Sequence, residues 1–72
     1  MKTVLVFKTS ITKNKEVAIV QATLNRLVAQ NGRWNFDLED CDHILRVESP
    51  MVQADTVLKA IQYHGFYCEE LF

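Results

Sequence analysis

Apolar and polar residues alternate with two different periods in the first part of the chain. Residues 3–8 form a continuous β-branched and apolar run, which predicts a central β-strand covered on at least one side. In residues 14–31 the apolar positions recur at steps of three and four, which is typical of an amphipathic helix. We expect Thr12 or Asn14 to cap the start of this helix, and Asn31-Gly32 to end it in a left-handed conformation. The apolar stripe consists of Val17, Val20, Leu24, Leu27 and Val28.

A hairpin of two strands is predicted after this helix. Trp34, Phe36 and Leu38 alternate with polar residues, which is the period of a strand with one buried face. The turn-forming residues 40–42 interrupt the alternation, and apolar residues resume at 44–47. A hairpin is the simplest interpretation of this pattern.

A second helix and a last strand complete the chain. Ser49-Pro50 ends the second strand of the hairpin. A second helical stripe then ends at Gly65, where a left-handed residue favours helix termination, and residues 66–71 have the composition of a strand. The stripe consists of Val57, Ala60 and Ile61, with Val52 as a further candidate.

The predicted order of strand, helix, two hairpin strands, helix and strand is typical of the ferredoxin-like α+β fold, β-α-β-β-α-β. In this fold both helices lie on one face of a four-stranded antiparallel sheet. A chain of 72 residues can enclose one hydrophobic core, so residues 1–72 are expected to form a single domain. The loops at residues 9–13, 40–43 and 64–65 then lie at the same end of the domain.

Composition and charge exclude several classes of protein. Eight Lys and Arg against nine Asp and Glu give a formal net charge of −1, so we expect no nucleic-acid partner. No apolar stretch has the length of a membrane span, and the amino-terminal apolar run is too short for a secretory signal. We therefore expect a cytoplasmic protein without a membrane partner, whose Cys41 and Cys68 are reduced thiols.

The end of the chain resembles the closing pattern of heavy-metal-associated domains, the superfamily that includes copper chaperones. That pattern is an Ala-Ile pair, three residues, a glycine, an aromatic residue and an acidic strand end, matched here by Ala60-Ile61, Gly65, Phe66 and Glu69-Glu70. The resemblance implies metal ion binding through a Met-x-Cys-x-x-Cys motif between the first strand and the first helix. Residues 8–14 occupy that place and contain no cysteine, so the chain resembles a degenerate member without the standard Cu(I) site.

A rebuilt metal site is the sharpest functional hypothesis. Cys41, His43 and His64 lie in the loops that the topology brings to the end where the family's metal would sit, and Cys68 is a weaker fourth candidate. Thiolate and imidazole ligands suit Zn²⁺ or Cu(I). However, the spacing of Cys41 and His43 is not an established ligand pattern, His64 also suits a helix end, and Cys68 also suits the core.

Three surfaces are candidates for a partner protein. Lys13 and Lys15 lie at the start of the first helix, where amides and positive charge can hold a carboxylate, although a solvated helix start is the simpler interpretation. Asp40 and Asp42 belong to an acidic stretch that suits docking through complementary charge or a merely solvated surface. The second apolar side of the first strand, with Ile44, suits a homodimer.

These observations favour a non-enzymatic binding module. No nucleophile has a recognisable base and orienting group, and a domain of this size offers no deep cleft. The first hypothesis is metal handling through a non-standard site. The alternative is a protein-interaction or regulatory scaffold that binds no metal.

Overall fold

The computed structural model describes residues 3–28, 32–39, 41, 43–50 and 52–71, and it confirms the predicted α+β fold. The strands form one antiparallel sheet in which two hairpin strands, the first strand and the last strand lie side by side. No helix among these residues is long and apolar enough to cross a membrane. The elements are β1 (Thr3–Thr9), α1 (Asn14–Val28), β2 (Arg33–Asp37), β3 (Ile44–Ser49), α2 (Ala54–Tyr63) and β4 (Cys68–Leu71), and the order in the sheet is β2-β3-β1-β4.

Both helices pack on the same face of the sheet, which we call the helix face. Phe7 of β1 pairs with Leu45 of β3, and both side chains are fully buried beneath the helices. Each such side chain contributes about 1.5–3 kcal/mol when it is removed from water. The core cluster consists of Phe7, Ile11, Val20, Leu24, Val28, Leu45, Val47, Val57, Ile61 and Cys68.

The strands differ from their predicted bounds by one or two residues, for reasons that lie in the neighbouring strands. β1 continues beyond Lys8 to Thr9, because Thr9 still has a partner, Cys68, in β4. β2 ends at Asp37, where the carboxylate oxygen Oδ1 accepts a hydrogen bond from the Glu39 N–H at 3.3 Å and begins the turn.

The start of α1 is capped by a residue inside the helix, and the predicted caps Thr12 and Asn14 are therefore wrong. The carboxylate of Glu16 accepts hydrogen bonds from the N–H groups of Thr12 at 2.9 Å and Lys13 at 3.2 Å, and also from the Thr12 hydroxyl at 3.2 Å. This is the glutamate half of a capping box. These bonds, that of the Thr12 N–H first, lower the pKa of Glu16.

The end of α2 follows the prediction. Gly65 has a φ of 89°, and its N–H donates to the carbonyl of Gln62 at 2.9 Å. The N–H of Phe66 reaches back to the carbonyl of Ile61 at 3.4 Å, which completes a Schellman motif. Because Phe66 belongs to this helix ending, β4 begins two residues later than predicted, at Cys68.

Gly32 has a different role from the left-handed helix ending that was predicted for Asn31-Gly32. Asn31 lies outside the described residues, and Gly32 does not have a positive φ. A Cβ atom at Gly32 would lie 2.7 Å from the Cβ of Val28 and 2.8 Å from the carbonyl oxygen of Glu48. Glycine is therefore required here because the chain leaving α1 passes very close to β3.

Candidate functional site

The end of the sheet where the metal site was predicted is held together by Thr9. Its hydroxyl donates a hydrogen bond of 2.8 Å to the carbonyl oxygen of His43 and accepts one of 3.2 Å from the N–H of Ile11. Thr9 is only 3% exposed. His43 has a φ of 51°, a left-handed conformation that is uncommon outside glycine, so the bond from Thr9 fixes a strained turn.

A second clamp joins the loop after β1 to the segment before β4. The N–H of Ser10 donates to the carbonyl of Tyr67 at 3.2 Å, and the N–H of Tyr67 donates to the Ser10 hydroxyl at 2.8 Å. The Tyr67 hydroxyl donates in turn to Glu69 at 2.9 Å, and this bond raises the pKa of the phenol. The loop after β1 therefore meets both His43, before β3, and Tyr67, before β4, and hydrogen bonds fix these contacts.

The four predicted metal ligands are in unlike environments. Cys41 is exposed, whereas Cys68 is 4% exposed within the core cluster. Burial raises the pKa of the Cys68 thiol from its ordinary 9.0 to about 11, so it is protonated at neutral pH. His43, just before β3, and Cys68 of β4 flank Thr9 on opposite sides, which separates their backbones by about two strand spacings, ~10 Å.

The imidazole of His64 is directed toward α1. Its Nε2 lies 2.9 Å from the hydroxyl of Thr23, and its ring makes an edge contact with Tyr63 at 5.7 Å between centroids. His64 is also the C-cap residue of α2, and its N–H donates to the carbonyl of Ile61. This imidazole therefore joins the two helices.

No group of three or more His, Cys, Asp or Glu side chains within the described part of the chain is placed to hold a metal ion. Asp40 and Asp42, which could add oxygen ligands, lie outside those residues. The donor set that is described is thus one exposed thiol, one protonated buried thiol and two imidazoles, of which that of His64 has its own hydrogen-bond partner. The metal site remains a prediction.

The lysines predicted to bind a partner's carboxylate lie beside a carboxylate of the chain itself. Lys13 and Lys15 are both exposed at the start of α1. The N–H of Lys13 already donates to Glu16, which occupies the position expected for an external anion. The acidic half of the predicted docking surface, Asp40 and Asp42, falls outside the described residues, so this surface also remains a prediction.

The face of the sheet opposite the helices, which we call the open face, carries an apolar strip. Val6 pairs with Leu71 of β4, and Val4, next along β1 on the same side, is 54% exposed. Ile44 lies on this face too, because it pairs with Lys8, and it is 7% exposed outside the core cluster. The predicted second apolar side of β1 is therefore where sequence alternation placed it. The strip consists of Val4, Val6, Ile44 and Leu71.

Charged residues of both signs surround this strip. On β2 and β3, the Nε of Arg33 donates to Glu48 at 2.8 Å, and the two residues line, with Trp34, Asn35 and Arg46, a concavity of about 350 Å³. The bond to Glu48 raises the pKa of the Arg33 guanidinium. Within the described strands, the charged residues on the open face are Lys8, Arg33 and Arg46, which are basic, and Asp37, Glu48 and Glu69, which are acidic.

Two features of these surfaces were missed by the sequence analysis. Thr9 was left outside β1, although Leu5, Phe7 and Thr9 have the same parity and this alone places Thr9 on the helix face. The Ser10–Tyr67 clamp joins residues 57 positions apart. No local pattern in the sequence signals that bond, because it depends on how β1 and β4 are paired.

The comparisons with known proteins bear on the fold alone. No protein-family model matches the chain, and no curated protein sequence matches it. Among solved structures, it is similar to a C-terminal segment of the alpha subunit of aIF2 from Pyrococcus abyssi, with a TM-score of 0.54 and 15% sequence identity. The similarity covers 99% of this chain and 49% of that chain. At this identity the likeness supports the ferredoxin-like fold and implies nothing about function.

Proposed function

We propose that this chain is a non-catalytic protein-interaction module whose binding surface is the open face of the sheet. The observation that carries the proposal is the apolar strip of Val4, Val6, Ile44 and Leu71, which no helix covers and in which Val4 is exposed while Ile44 is buried. In a domain this small most large apolar side chains are needed for the core. A valine that is 54% exposed on a central strand therefore suits contact with another molecule.

The charges around the strip define the chemistry of the partner. Among the residues that the structure describes, three basic and three acidic side chains lie on the open face and balance in charge, so these residues offer no sequence-independent attraction to a polyanion. An apolar centre with a mixed polar rim is instead the usual anatomy of a protein–protein interface. The partner is accordingly a protein with a flat apolar patch.

The fixed loops support this role. The hydrogen bonds of Thr9 to His43, and of Ser10 to Tyr67, tie the loop end of β1 to both neighbouring strands. A surface held in this way loses little conformational freedom when a partner binds. The open face is thus a preorganised platform.

Metal handling is kept as the second candidate. It is favoured by the placement of Cys41, His43 and Cys68 near one end of the sheet, where the heavy-metal-associated resemblance would put an ion. It is opposed by the raised pKa of Cys68 and by the hydrogen bond that His64 makes to Thr23.

The test of the interaction proposal uses two equally exposed apolar residues on opposite sides of the domain. Val4 on the open face and Ile19 on α1 are both 54% exposed. A benzophenone amino acid in place of each residue, followed by irradiation in cells, should give a specific protein adduct from position 4 and none from position 19. The captured protein is then purified, and its affinity for the unlabelled chain is measured by calorimetry.

The matched variants decide whether the captured protein binds the open face. Val4→Asp should weaken the affinity at least about tenfold, equivalent to ~1.4 kcal/mol, whereas Ile19→Asp should leave it unchanged. Equal adducts from both positions would count against the proposal, as would an affinity that Val4→Asp does not alter. Thermal unfolding of both variants controls for loss of the fold.

A further inference from the structure

Among the described strands, β2 lies at one edge of the sheet beside β3 alone, and its five residues have an internal symmetry. The strand reads Arg33-Trp34-Asn35-Phe36-Asp37, with a cation at one end, an anion at the other, and an amide between two aromatic rings. An edge strand offers its outward backbone N–H and C=O groups to a further strand. The sequence of β2 therefore decides which strand can pair with this edge.

We propose that the edge of β2 pairs antiparallel with β2 of a second copy of this chain, about a two-fold axis through Asn35. The pairing places Arg33 opposite Asp37 of the second copy, and Asp37 opposite its Arg33. Both ends of the interface thus carry opposite charges directly across from each other, the favourable cross-strand arrangement. The two four-stranded sheets become one continuous sheet of eight strands.

The same register also matches the two faces of the sheet. Trp34 and Phe36 both point to the helix face, as their pairing with Val47 and Leu45 shows. Across the axis, Trp34 of each copy lies opposite Phe36 of the other copy. Within one chain these rings already make an edge contact, with centroids 5.9 Å apart, and both residues are half-buried. The indole N–H of Trp34 donates to Asn25 of α1 at 2.8 Å, which fixes the ring beside the edge. A shift of this register by one residue would join the helix face of one copy to the open face of the other.

The hydrogen bonds that Arg33 and Asp37 already make leave further donors and acceptor positions for this contact. Arg33 uses its Nε toward Glu48, and a guanidinium has further N–H donors in a planar fork. Asp37 accepts the N–H of Glu39 on Oδ1, and a carboxylate has about four acceptor positions. The pair between copies therefore adds to the contacts within each chain.

The opposite edge of the sheet does not fit itself in this way. β4 reads Cys68-Glu69-Glu70-Leu71, and a two-fold pairing centred on Glu69 or on Glu70 would set that glutamate against the same glutamate of the second copy. Like charges directly opposite each other destabilise strand pairing. Of the two edges, β2 is therefore the one that suits a second copy.

This inference goes beyond the proposed function, because it uses the edge of the sheet and leaves the open face available. In the dimer the two open faces lie side by side on one surface. A five-residue edge is smaller than a standard interface, so the dimer should dissociate on dilution. Its failure and that of the open-face proposal are distinguishable, since Val4→Asp tests one surface and β2 variants test the other.

The first experiment is analytical ultracentrifugation of the wild-type chain and two charge variants. Wild type should shift from dimer to monomer over about a hundredfold dilution. Arg33→Asp and Asp37→Arg should each be monomeric, because each puts like charges at both ends of the interface. An equimolar mixture of the two should form a heterodimer, because both end pairs are then opposite in sign. Thermal unfolding confirms that each variant is folded.

A cross-linking experiment tests the axis independently of charge. Asn35→Cys in a Cys41→Ser background should form an intermolecular disulfide under mild oxidation, because directly opposed Cβ atoms lie about 4.5–5.5 Å apart. The matched control is Arg46→Cys in the same background, since Arg46 pairs with Asn35 on the same face but one strand further from the edge. It should remain uncross-linked.

Three results would overturn the inference. The first is a wild-type chain that is monomeric at the highest concentration and an Asn35→Cys variant that does not cross-link. The second is a dimer that neither charge variant weakens. The third is a dimer that Val6→Asp dissociates and that Arg46→Cys captures as well as Asn35→Cys, which would place the contact on the open face.

Discussion

Thr9 shows how one side chain can organise a loop end that has no regular structure. Its hydroxyl donates to the His43 carbonyl and accepts from the Ile11 N–H, and the side chain is buried. The hydrogen bond to His43 offsets a left-handed backbone that costs about 1–2 kcal/mol in a residue with a Cβ atom. The strained residue is thus His43, and the residue that compensates for the strain is Thr9 of the neighbouring strand β1.

The two cysteines should react very differently with thiol reagents. Cys41 is exposed, whereas burial raises the pKa of Cys68 to about 11 from 9.0, which lowers its thiolate fraction about a hundredfold at pH 8. Titration with Ellman's reagent at that pH should show one fast thiol in each native chain. The second should react only slowly, and at full rate after unfolding in guanidinium.

The variant Cys41→Ser assigns the two rates. It should remove the fast phase and leave the slow one, because only the buried thiol remains. Two fast phases in the wild-type protein, or a fast phase that survives in Cys41→Ser, would contradict the burial of Cys68 in the core.

Among the helices, the sequence predicted an end correctly where a single residue was the candidate for forming it. Gly65 ended α2 as expected, because no other residue there can adopt the left-handed conformation without strain. The start of α1 at Asn14 was predicted correctly, but its capping residue was not, because several residues compete. Thr12 and Asn14 have capping propensity, yet Glu16 reaches back and takes the amides of Thr12 and Lys13. Propensity ranks candidates but does not show which side chain is in reach.

The cap by Glu16 makes a pH-dependent contribution to stability. Its folded-state pKa is lowered, so the contribution is present above the unfolded pKa of about 4.3 and is lost as the pH falls through the lower folded value. Glu16→Gln keeps an oxygen acceptor and removes the charge. Its melting temperature should lie below that of wild type at pH 7, and the difference should narrow as the pH falls below the unfolded pKa of about 4.3.

Two further variants separate charge from hydrogen bonding at this cap. Glu16→Ala removes the acceptor as well, so it should melt below Glu16→Gln at every pH. Glu39→Gln changes an exposed acidic residue in the turn after β2 and should follow the wild-type curve. A constant gap between Glu16→Gln and wild type from pH 3 to pH 7 would contradict the role of the charged carboxylate.

For the whole molecule, the sequence predicted which loops meet but not how their side chains are directed. The order of elements brings Cys41, His43, His64 and Cys68 toward one end, and this followed from topology alone. Whether they converge depends on rotamers and burial. His64 bonds to Thr23 and Cys68 joins the core because of tertiary packing, which no local pattern encodes.

A metal titration distinguishes a shared site from a single exposed thiol. The reduced chain is titrated with Cu(I) and with Zn²⁺ against a competing chelator. We expect weak binding that Cys41→Ser abolishes and His64→Ala leaves unchanged, because His64 already has a partner in α1. Tight one-to-one binding that both substitutions weaken would contradict this expectation and support the metal-handling hypothesis.

The acidic residues of β4 have a consequence for how many chains can associate. A sheet with two receptive edges can add copies at both ends and grow into a fibre, whereas one receptive edge allows two copies to meet and then stops. Glu69 and Glu70 lie on the edge opposite β2. In the proposed dimer we therefore expect these glutamates to stop polymerisation, and replacing them with neutral residues should remove that barrier to filament growth.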